Sequence, residues 1–210
     1  MNAIFLLYLL VPAAFLMGSI PFGLIYTKGS GVDLRSTGSR NIGATNVLRS
    51  VGKMPAILTL LSDGLKGAAP VFICKYLLGI GNSEISDSEL WMSAVGLAAV
   101  LGHMYSVFLG FKGGKGVATG IGVVAAYSPP VSLILIGIWI SVAIVSRHSS
   151  LAALTAVSSL PVIYIIQGAS TIKISFGIIL AALIIYKHKT NIKSLMSGTE
   201  SKIGKKGHRE

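Results

Sequence analysis

The stretch VATGIGVVAAYSPPVSLILIGIWISVAIVS, residues 117–146, decides the fold of this chain. A membrane-spanning helix needs about 20 apolar residues, so this run is too long for one ordinary span. The dipeptide Pro129-Pro130 lies near its middle, and two consecutive prolines remove two backbone donors and break a helix. One long span would separate Lys115 from Arg147 by the membrane, whereas two short helices return both residues to one side. We therefore predict two short membrane helices, 117–128 and 131–146.

The composition of the whole chain agrees with a membrane protein. Its 210 residues are 52% hydrophobic and 12% charged, whereas an ordinary globular domain carries about 25% charged residues. Disordered chains and typical soluble proteins are thereby excluded. Further apolar runs occupy 3–25, 55–79, 91–109, 151–167 and 173–187. We expect an all-α polytopic membrane protein with seven transmembrane helices in a single integral membrane domain, 1–210.

The basic residues orient these spans. The chain has 18 Lys and Arg against 7 Asp and Glu, a net charge of +11, which in a soluble protein would suggest nucleic acid. Here an N-terminus outside and a cytoplasmic C-terminus place 15 of the 18 basic residues on the cytoplasmic side, in agreement with the positive-inside rule. We therefore expect no nucleic-acid partner. The cytoplasmic segments are loops at about 26–54, 110–116 and 147–150 and a tail at 188–210, with Glu84, Asp87 and Glu89 on the opposite side.

Two of these segments have the composition of anion-binding loops. Residues 29–49 alternate Gly, Ser, Thr and Asn with Arg, so backbone N–H groups, hydroxyls and guanidinium groups are available together. A flexible polar loop that only orients the chain explains this segment equally well. The segment GFKGGKG, residues 110–116, is more specific, because two lysines flank a diglycine just before a predicted helix N-terminus. His103 would reach this second loop only if its helix ends early or the loop folds back.

The remaining polar segments add hydroxyls, imidazoles and one ion pair. In the segment RHSS, 147–150, either serine is expected to cap the following helix, and a capped helix start also binds anions. His188 and Asn191 share one helical face, either as part of a site or within a basic collar at the membrane interface. Asp63 and Lys66 lie three residues apart inside the second span, and we expect their ion pair to brace the first loop.

The residue types exclude several kinds of site. The acidic residues on the predicted cytoplasmic side are Asp33, Glu200 and Glu210, too few carboxylates for a metal site or for a hydrolase with paired carboxylates. The one cysteine, Cys74, excludes disulfide scaffolds and cysteine-based metal sites. We expect no metal and no cofactor. The concentration of cations and hydroxyls on one membrane face indicates a site for phosphorylated, membrane-associated substrates.

Taken in order, these segments resemble the bacterial acyl-phosphate-dependent glycerol-3-phosphate acyltransferase family. The matching blocks are GSIPFG at 18–23, GSRNIGATN at 38–46, DGLKG at 63–67, HMYSVFLGFKGGKGVAT at 103–119, RHSS at 147–150, HKTNIK at 188–193 and SGTE at 197–200. Two positions depart from the family pattern. Arg40 stands where the family usually has glycine, so it is strained if that glycine has a positive φ, or else it adds charge to the site. Tyr105-Ser106 replaces the usual Phe-Pro.

The resemblance implies transfer of a fatty acyl group from acyl phosphate to the sn-1 hydroxyl of glycerol 3-phosphate. The products would be 1-acylglycerol 3-phosphate and phosphate, in the first step of phospholipid synthesis. It also implies a multi-pass protein of the bacterial cytoplasmic (inner) membrane, in contact with membrane lipid, with its active site on the cytoplasmic face. A soluble enzyme that forms acyl phosphate is the implied upstream partner. The His-x4-Asp signature of acyl-CoA-dependent acyltransferases is absent, so no acyl-CoA dependence is expected.

The resemblance also implies the site residues. The catalytic residues would be His188, Lys115 and Ser39. Substrate and phosphate would be bound by Ser39, Asn41, Arg49, His103, Lys112, Lys115, Ser149, Ser150 and Asn191. The base that accepts the hydroxyl proton stays open between His188, His103 and a phosphate of the substrate.

An apolar binding site for the acyl chain is expected beside the two short helices, with Ala125 in its wall.

A small anion or phosphometabolite transporter is the alternative function, and midplane polar groups or internal repeats would favour it. The sequence shows no repeat, and only Asp63 and Lys66 lie deep in a span. An interaction scaffold would not require two loops rich in Gly, Lys and Arg.

Overall fold

A computed structural model describes residues 3–80 and 87–204 of the chain. Within this part the chain forms ten α-helices and one short 3-10 helix, Val107–Leu109. The α-helices are α1 (Ala3–Ser19), α2 (Phe22–Thr27), α3 (Ala44–Ser50), α4 (Lys53–Ile80), α5 (Ser88–Met104), α6 (Val117–Tyr127), α7 (Pro129–Ser146), α8 (Ser149–Ile166), α9 (Thr171–Lys187) and α10 (Lys189–Met196). The charged residues that lie outside the described residues are Glu84, Lys205, Lys206, Arg209 and Glu210.

Length and composition identify five helical segments that could cross a membrane. They are Ala3–Thr27, which joins α1 and α2, Lys53–Gly79, Ser88–Leu109, Pro129–Ser146 and Ser149–Ile166. A sixth segment qualifies only if α9 and α10, which are bent by 64° relative to each other, are counted together. α6 is apolar but has 11 residues, about 16 Å of helix against a hydrocarbon core of about 30 Å. The all-α membrane architecture is confirmed, with five or six candidate spans where the sequence predicts seven.

The chain breaks at the prolines as predicted. α6 ends at Tyr127, Ser128 has a φ of −142° and a ψ of 79°, and α7 begins at Pro129. A proline at the first helical position costs no hydrogen bond, because an N–H group there has no partner within the helix. α7 therefore begins two residues earlier than predicted. The predicted loop 26–54 contains α3, and the predicted tail contains α10.

Large apolar side chains cover the outside of the helices. Tyr8, Leu65, Leu133, Ile144 and Ile166 are each more than 60% exposed. A soluble protein rarely exposes so much contiguous apolar surface, and such a surface is typical of contact with lipid. The buried core lies between the helices, where Val123, Val124 and Tyr127 place the inner face of α6 among its neighbours.

Glycines bring the helices that carry the polar loops into backbone contact. A Cβ placed on Gly18 of α1 would lie 2.0 Å from the carbonyl oxygen of Ala99 in α5. A Cβ placed on Gly67 of α4 would lie 2.2 Å from the carbonyl oxygen of Thr119 in α6. Small residues at membrane helix interfaces permit this approach, and the resulting contacts drive association where lipid supplies little hydrophobic force. The short helix α6 is therefore held directly against the backbone of α4.

Replacement of Gly67 by alanine tests this packing. The added methyl group would meet the backbone of α6, which cannot rotate away as a side chain can, so we expect a loss of about 1–3 kcal/mol in the free energy of unfolding. Gly137→Ala in α7 is the matched control, because nothing lies within 4 Å of the added Cβ. Thermal unfolding in detergent should give a lower midpoint for Gly67→Ala alone. Equal midpoints for the two variants would contradict the packing argument.

Candidate active site

The polar segments meet at one cavity of about 590 Å³. The polar residues in its wall are Ser39, Asn41, Thr45, Asn46, Arg49, Asp63, His103, Lys115, Ser149, Ser150, His188, Asn191 and Glu200. The apolar part of the wall comes mainly from α4, α6 and α7, with Leu61, Leu65, Ala125, Ile136 and Ile140 among its residues. The cavity therefore joins a group of cations and hydroxyls to an apolar compartment.

The structure brings together every predicted site residue except one. Lys112 is exposed and lies outside the cavity wall, although it is separated from Lys115 by only two glycines. The wall also contains Thr45, Asn46 and Glu200, which were not among the predicted site residues. Glu200 was visible in the sequence as an isolated acid in a basic tail, but nothing in the spacing placed it near the loops.

A single buried side chain organises the first loop. Asn46 is 1% exposed, and its Nδ2 lies within hydrogen-bond distance of the carbonyl oxygens of Leu34, Thr37 and Asn41, at 3.2, 3.0 and 2.8 Å. Its Oδ1 accepts a hydrogen bond from the backbone N–H of Ser39 at 2.9 Å. One amide thus fixes the backbone on both sides of Ser39 and Asn41, which preorganises this part of the cavity wall.

Arg40 occupies a backbone conformation that favours glycine. Its φ is +55°, so the expectation of strain at this position is confirmed. The side chain is exposed and does not line the cavity. The alternative that Arg40 adds its charge to the site therefore has no support from its position.

The second loop folds back onto the end of α5. The N–H groups of Gly113 and Gly114 donate to the carbonyl oxygens of Met104 and His103, at 3.2 and 3.0 Å. A Cβ on Gly114 would lie 2.2 Å from Nε2 of His103, so the imidazole packs directly beneath the loop. The sequence predicts contact between His103 and this loop only if the helix ends early or the loop folds back. Both occur, because α5 ends at Met104 and the loop turns back along it. The loop then delivers Lys115 to the cavity.

Lys115 belongs to a chain of hydrogen bonds that joins three segments. Its Nζ donates to Oδ1 of Asn191, and Nδ2 of Asn191 donates to Oε1 of Glu200 at 2.8 Å. The same carboxylate oxygen accepts a hydrogen bond from Oγ of Ser150. Burial lowers the pKa of the Lys115 ammonium, and the Glu200 carboxylate opposes that shift. The second loop, the start of α8 and the tail are therefore linked by polar contacts inside the cavity wall.

The two serines of the RHSS segment do not cap a helix. α8 begins at Ser149, His148 occupies the capping position, and no side chain makes a capping hydrogen bond there. The prediction of a serine cap is therefore wrong. The Ser149 hydroxyl instead lies 3.0 Å from the Thr45 hydroxyl, which ties α8 to the first loop.

The two histidines of the cavity wall differ in which ring nitrogen is occupied by a contact. His188 is 3% exposed, and its Nδ1 lies 2.8 Å from the carbonyl oxygen of Ile184. Because a carbonyl only accepts, this contact places the proton on Nδ1 and leaves Nε2 of the neutral ring as an acceptor. Nε2 of His103 is covered by Gly114. His188 is thus better placed than His103 to accept a proton.

The predicted ion pair in α4 forms and reaches the first loop indirectly. Asp63 Oδ1 lies 2.8 Å from Lys66 Nζ, and each side chain is 4% exposed. Lys66 Nζ also donates to the carbonyl oxygen of Ile20, at 2.7 Å, where the chain passes from α1 to α2. α2 in turn contacts the first loop, because a Cβ on Gly23 would lie 1.9 Å from the carbonyl oxygen of Ile42. The pair therefore anchors the helix against which the loop packs.

The tail is fastened to two of the other polar segments. Arg49 Nη2 donates to the carbonyl oxygen of Ser201 at 2.9 Å. The N–H of Ile203 donates to the carbonyl oxygen of Arg147 at 2.6 Å. These bonds hold Glu200 in the wall of the cavity. At one end of the cavity, charged and neutral groups can donate hydrogen bonds to phosphate oxygens. The other end is apolar and has room for an acyl chain.

Comparisons with known proteins relate the whole chain to one enzyme family. The family model for glycerol-3-phosphate acyltransferase matches residues 8–198. A glycerol-3-phosphate acyltransferase of Geotalea daltonii is 46% identical over 192 residues, which cover 91% of this chain and 95% of that protein.

Two crystal structures of PlsY, an integral membrane glycerol 3-phosphate acyltransferase, have similar folds. The glycerol 3-phosphate form is 43% identical with a TM-score of 0.86, covering 94% of this chain and 96% of that chain. The lysophosphatidic acid form is 42% identical with a TM-score of 0.83, covering 94% and 95%. Sequence and fold agree over nearly the full length, and the chain therefore belongs to the glycerol-3-phosphate acyltransferase family, whose members are acyltransferases.

Proposed function

We propose that this protein transfers a fatty acyl group from acyl phosphate to the sn-1 hydroxyl of glycerol 3-phosphate. The products are 1-acylglycerol 3-phosphate and inorganic phosphate, and the reaction opens phospholipid synthesis. One observation carries the proposal: cationic and hydroxylic groups and an apolar compartment share a single cavity. Solved relatives in glycerol 3-phosphate and lysophosphatidic acid forms support the acceptor and the product.

The acyl chain would lie in the apolar part of the cavity. Leu61 and Leu65 of α4 and Ile140 of α7 line it, yet they are 58%, 65% and 46% exposed. Side chains that both line a cavity and reach the outer apolar surface indicate an opening toward lipid. A donor or product with a fatty chain would therefore exchange with the membrane while its charged end stays among polar groups.

The polar wall would hold the phosphate groups of two substrates together. Lys115 and Arg49 supply positive charge that offsets their mutual repulsion, and Ser39, Asn41 and the serines of α8 supply neutral donors. Donors that are fixed before the substrates arrive stabilise the developing oxyanion without reorganisation. The main contribution of the protein would thus be to align the sn-1 hydroxyl of glycerol 3-phosphate with the acyl carbonyl carbon.

The proposed chemical step is a direct acyl transfer. The sn-1 hydroxyl oxygen forms a bond to the acyl carbonyl carbon, the bond from that carbon to the phosphate oxygen breaks, and phosphate leaves with its electron pair. The hydroxyl proton passes to a base, either Nε2 of His188 or a phosphate oxygen of the substrate. The contact of His188 Nδ1 with Ile184 supports the first choice by holding the ring in one orientation.

The shared cavity also supports the topology. All four segments predicted to be cytoplasmic contribute to its wall, so an even number of crossings must separate each from the next. Two helices lie between successive segments: α4 and α5, α6 and α7, then α8 and α9. We therefore propose seven spans, with α6 as one of them, in one integral membrane domain, 1–210.

The direction of insertion follows from charge. Arg49 and Lys115 of the predicted loops line the cavity, so the positive-inside rule favours an outer N-terminus and a cytoplasmic active site. We propose the bacterial cytoplasmic membrane as the location, with a soluble acyl-phosphate-forming enzyme upstream. The acyl donor would reach the site from lipid and glycerol 3-phosphate from the cytoplasm.

The activity can be tested with purified protein, palmitoyl phosphate and glycerol 3-phosphate. We expect release of phosphate together with lysophosphatidate, and a rate at least about 100-fold lower in Lys115→Ala, which loses a buried cation of the site. Lys53→Ala is the control, because Lys53 is exposed and outside the cavity wall. If palmitoyl phosphate does not react and proteoliposomes take up labelled glycerol 3-phosphate, the protein is a transporter and the acyltransferase proposal is wrong.

The role of Asn46 can be tested by an isosteric change. Asn46→Asp keeps an acceptor for the N–H of Ser39 but loses the donors to three carbonyl oxygens, so the first loop should lose its fixed shape. We expect the KM for glycerol 3-phosphate to rise about tenfold, with a smaller change in kcat. Ser36→Ala in the same loop removes an exposed hydroxyl and should leave both constants unchanged. Unchanged kinetics in Asn46→Asp would show that the loop needs no such anchor.

The acyl compartment can be tested with a bulkier wall residue. Ala125 lines the cavity near the end of α6, so Ala125→Phe should occlude the part farthest from Lys115. We expect the preference between lauroyl phosphate and palmitoyl phosphate to shift toward the shorter chain, measured as a ratio of kcat/KM values. Ala182→Phe, on the exposed surface of α9, is the control. An unchanged ratio in Ala125→Phe would place the acyl chain elsewhere.

A further inference from the structure

A second, smaller cavity lies where α9 bends into α10. Its volume is about 220 Å³, and it is lined by Tyr105, Tyr186, Lys187, Lys189 and Thr190. None of these residues lines the proposed active site. We call this second cavity the lysine–tyrosine niche.

Two ammonium groups in the niche lie over aromatic rings. Lys187 Nζ lies 4.7 Å from the ring centre of Tyr105, and Lys189 Nζ lies 5.2 Å from that of Tyr186. Lys187 Nζ also donates to the carbonyl oxygen of Met104 at 3.0 Å. An ammonium group has three N–H donors, so both lysines retain donors that can bind an anion.

The described part of the chain supplies no acid to balance these charges. Among residues 3–80 and 87–204, neither Lys187 nor Lys189 makes an ion pair, and the Thr190 hydroxyl has no hydrogen-bond partner. The niche is therefore a small recess with two cations, a hydroxyl and aromatic walls. Such a recess is complementary to a phosphate group.

The position of the niche distinguishes between a soluble and a lipid-borne phosphate. It lies at the end of the apolar helix α9, where the 64° bend turns α10 away from the axis of the span. Tyr186 is 59% exposed beside it, and tyrosine and lysine are characteristic of the boundary between acyl chains and headgroups. A ligand with both a phosphate and an apolar body would use the whole surface, whereas inorganic phosphate would use only the cations.

We propose that the lysine–tyrosine niche binds the headgroup phosphate of an anionic phospholipid. Lipid binding in the niche does not depend on whether the proposed acyl transfer is correct, because it requires neither a substrate nor the first cavity. The lipid would bind from the surrounding membrane, with its phosphate between Lys187 and Lys189 and its glycerol region against Tyr186.

The niche is coupled to the active site through the backbone. The carbonyl oxygen of Met104 accepts both from Lys187 Nζ and from the N–H of Gly113, which begins the turn of the second loop. Between the niche lysines lies His188, and Asn191 follows on α10. An anion in the niche would hold the bend between α9 and α10. It would also offset the charge of Lys187, which, after burial, is one of the causes that lower the pKa of Lys115. Bound anionic lipid should therefore stabilise the arrangement that the active site requires.

A binding experiment without substrates tests the proposal. Delipidated protein carrying Lys115→Ala, which removes the cation of the first cavity, is titrated in neutral detergent with phosphatidylglycerol or phosphatidylcholine. Native mass spectrometry then counts the bound lipids. We expect retention of phosphatidylglycerol over phosphatidylcholine, and about fivefold weaker binding of phosphatidylglycerol when Lys189→Gln is added. Lys28→Gln removes an exposed charge of the first loop and is the matched control.

Three outcomes would overturn the proposal. Equal binding with and without Lys189→Gln would remove the niche as the site. An equal loss of phosphatidylglycerol binding in Lys28→Gln would show that the binding depends on general surface charge and not on the niche. Displacement of phosphatidylglycerol by equimolar inorganic phosphate would identify a soluble anion as the ligand.

Tyr186→Leu provides a second variant in case Lys189→Gln fails to fold. It keeps an apolar surface but removes the aromatic ring, so it should also weaken the binding of phosphatidylglycerol. Because no acyl transfer is measured, a failure of the proposed enzymatic function would leave this result unaffected.

Discussion

The carbonyl groups at the end of α5 impose the constraint on which the rest of the site depends. A helix leaves its last carbonyl oxygens without partners, and a membrane protein must satisfy them internally. Here the amides of Gly113 and Gly114 do so, and the loop must turn back along the helix to reach them. That turn packs the backbone onto His103 and directs Lys115 inward to Asn191. α6 then begins at Val117 and ends at Tyr127, just before the proline pair, which limits it to 11 residues.

The polar wall is built from segments far apart in the chain. Lys115, Asn191, Glu200 and Ser150 form one hydrogen-bonded series, and Arg49 adds a bond to the tail. Lys115 and Glu200 lie outside the helices, whereas Ser150 and Asn191 belong to α8 and α10. Their mutual contacts join segments that are distant in sequence, so the order of the site depends on bonds between segments as well as on local bonds such as those of Asn46.

The sequence could predict what depends on composition and on local geometry. Hydrophobic runs predicted the long apolar helices but not α3 or α10, and the pair Pro129-Pro130 predicted the break between α6 and α7. The resemblance gave nine of the thirteen polar residues of the cavity wall named above. Asn46 lies in one of the matching segments, but its role could not be predicted, because its partners are backbone carbonyl oxygens, which every residue possesses. The serine cap failed because the hydroxyls of α8 find side-chain partners in other segments, which no local rule anticipates.

The glycine contacts divide the walls of the first cavity into a stiff side and a compliant side. α4 and α6 meet backbone to backbone at Gly67 and Thr119, so neither can shift without steric overlap or loss of contact. The facing wall in α7 is made of Ile136, Trp139 and Ile140, whose side chains can change rotamer. In the proposed binding mode, acyl chains of different girth, such as saturated and cis-unsaturated ones, would be accommodated mainly by the side chains of α7. In the proposed binding mode, substitutions in α7 would alter tolerance for kinked chains, and substitutions at the Gly67–Thr119 contact would alter the packing of α4 against α6.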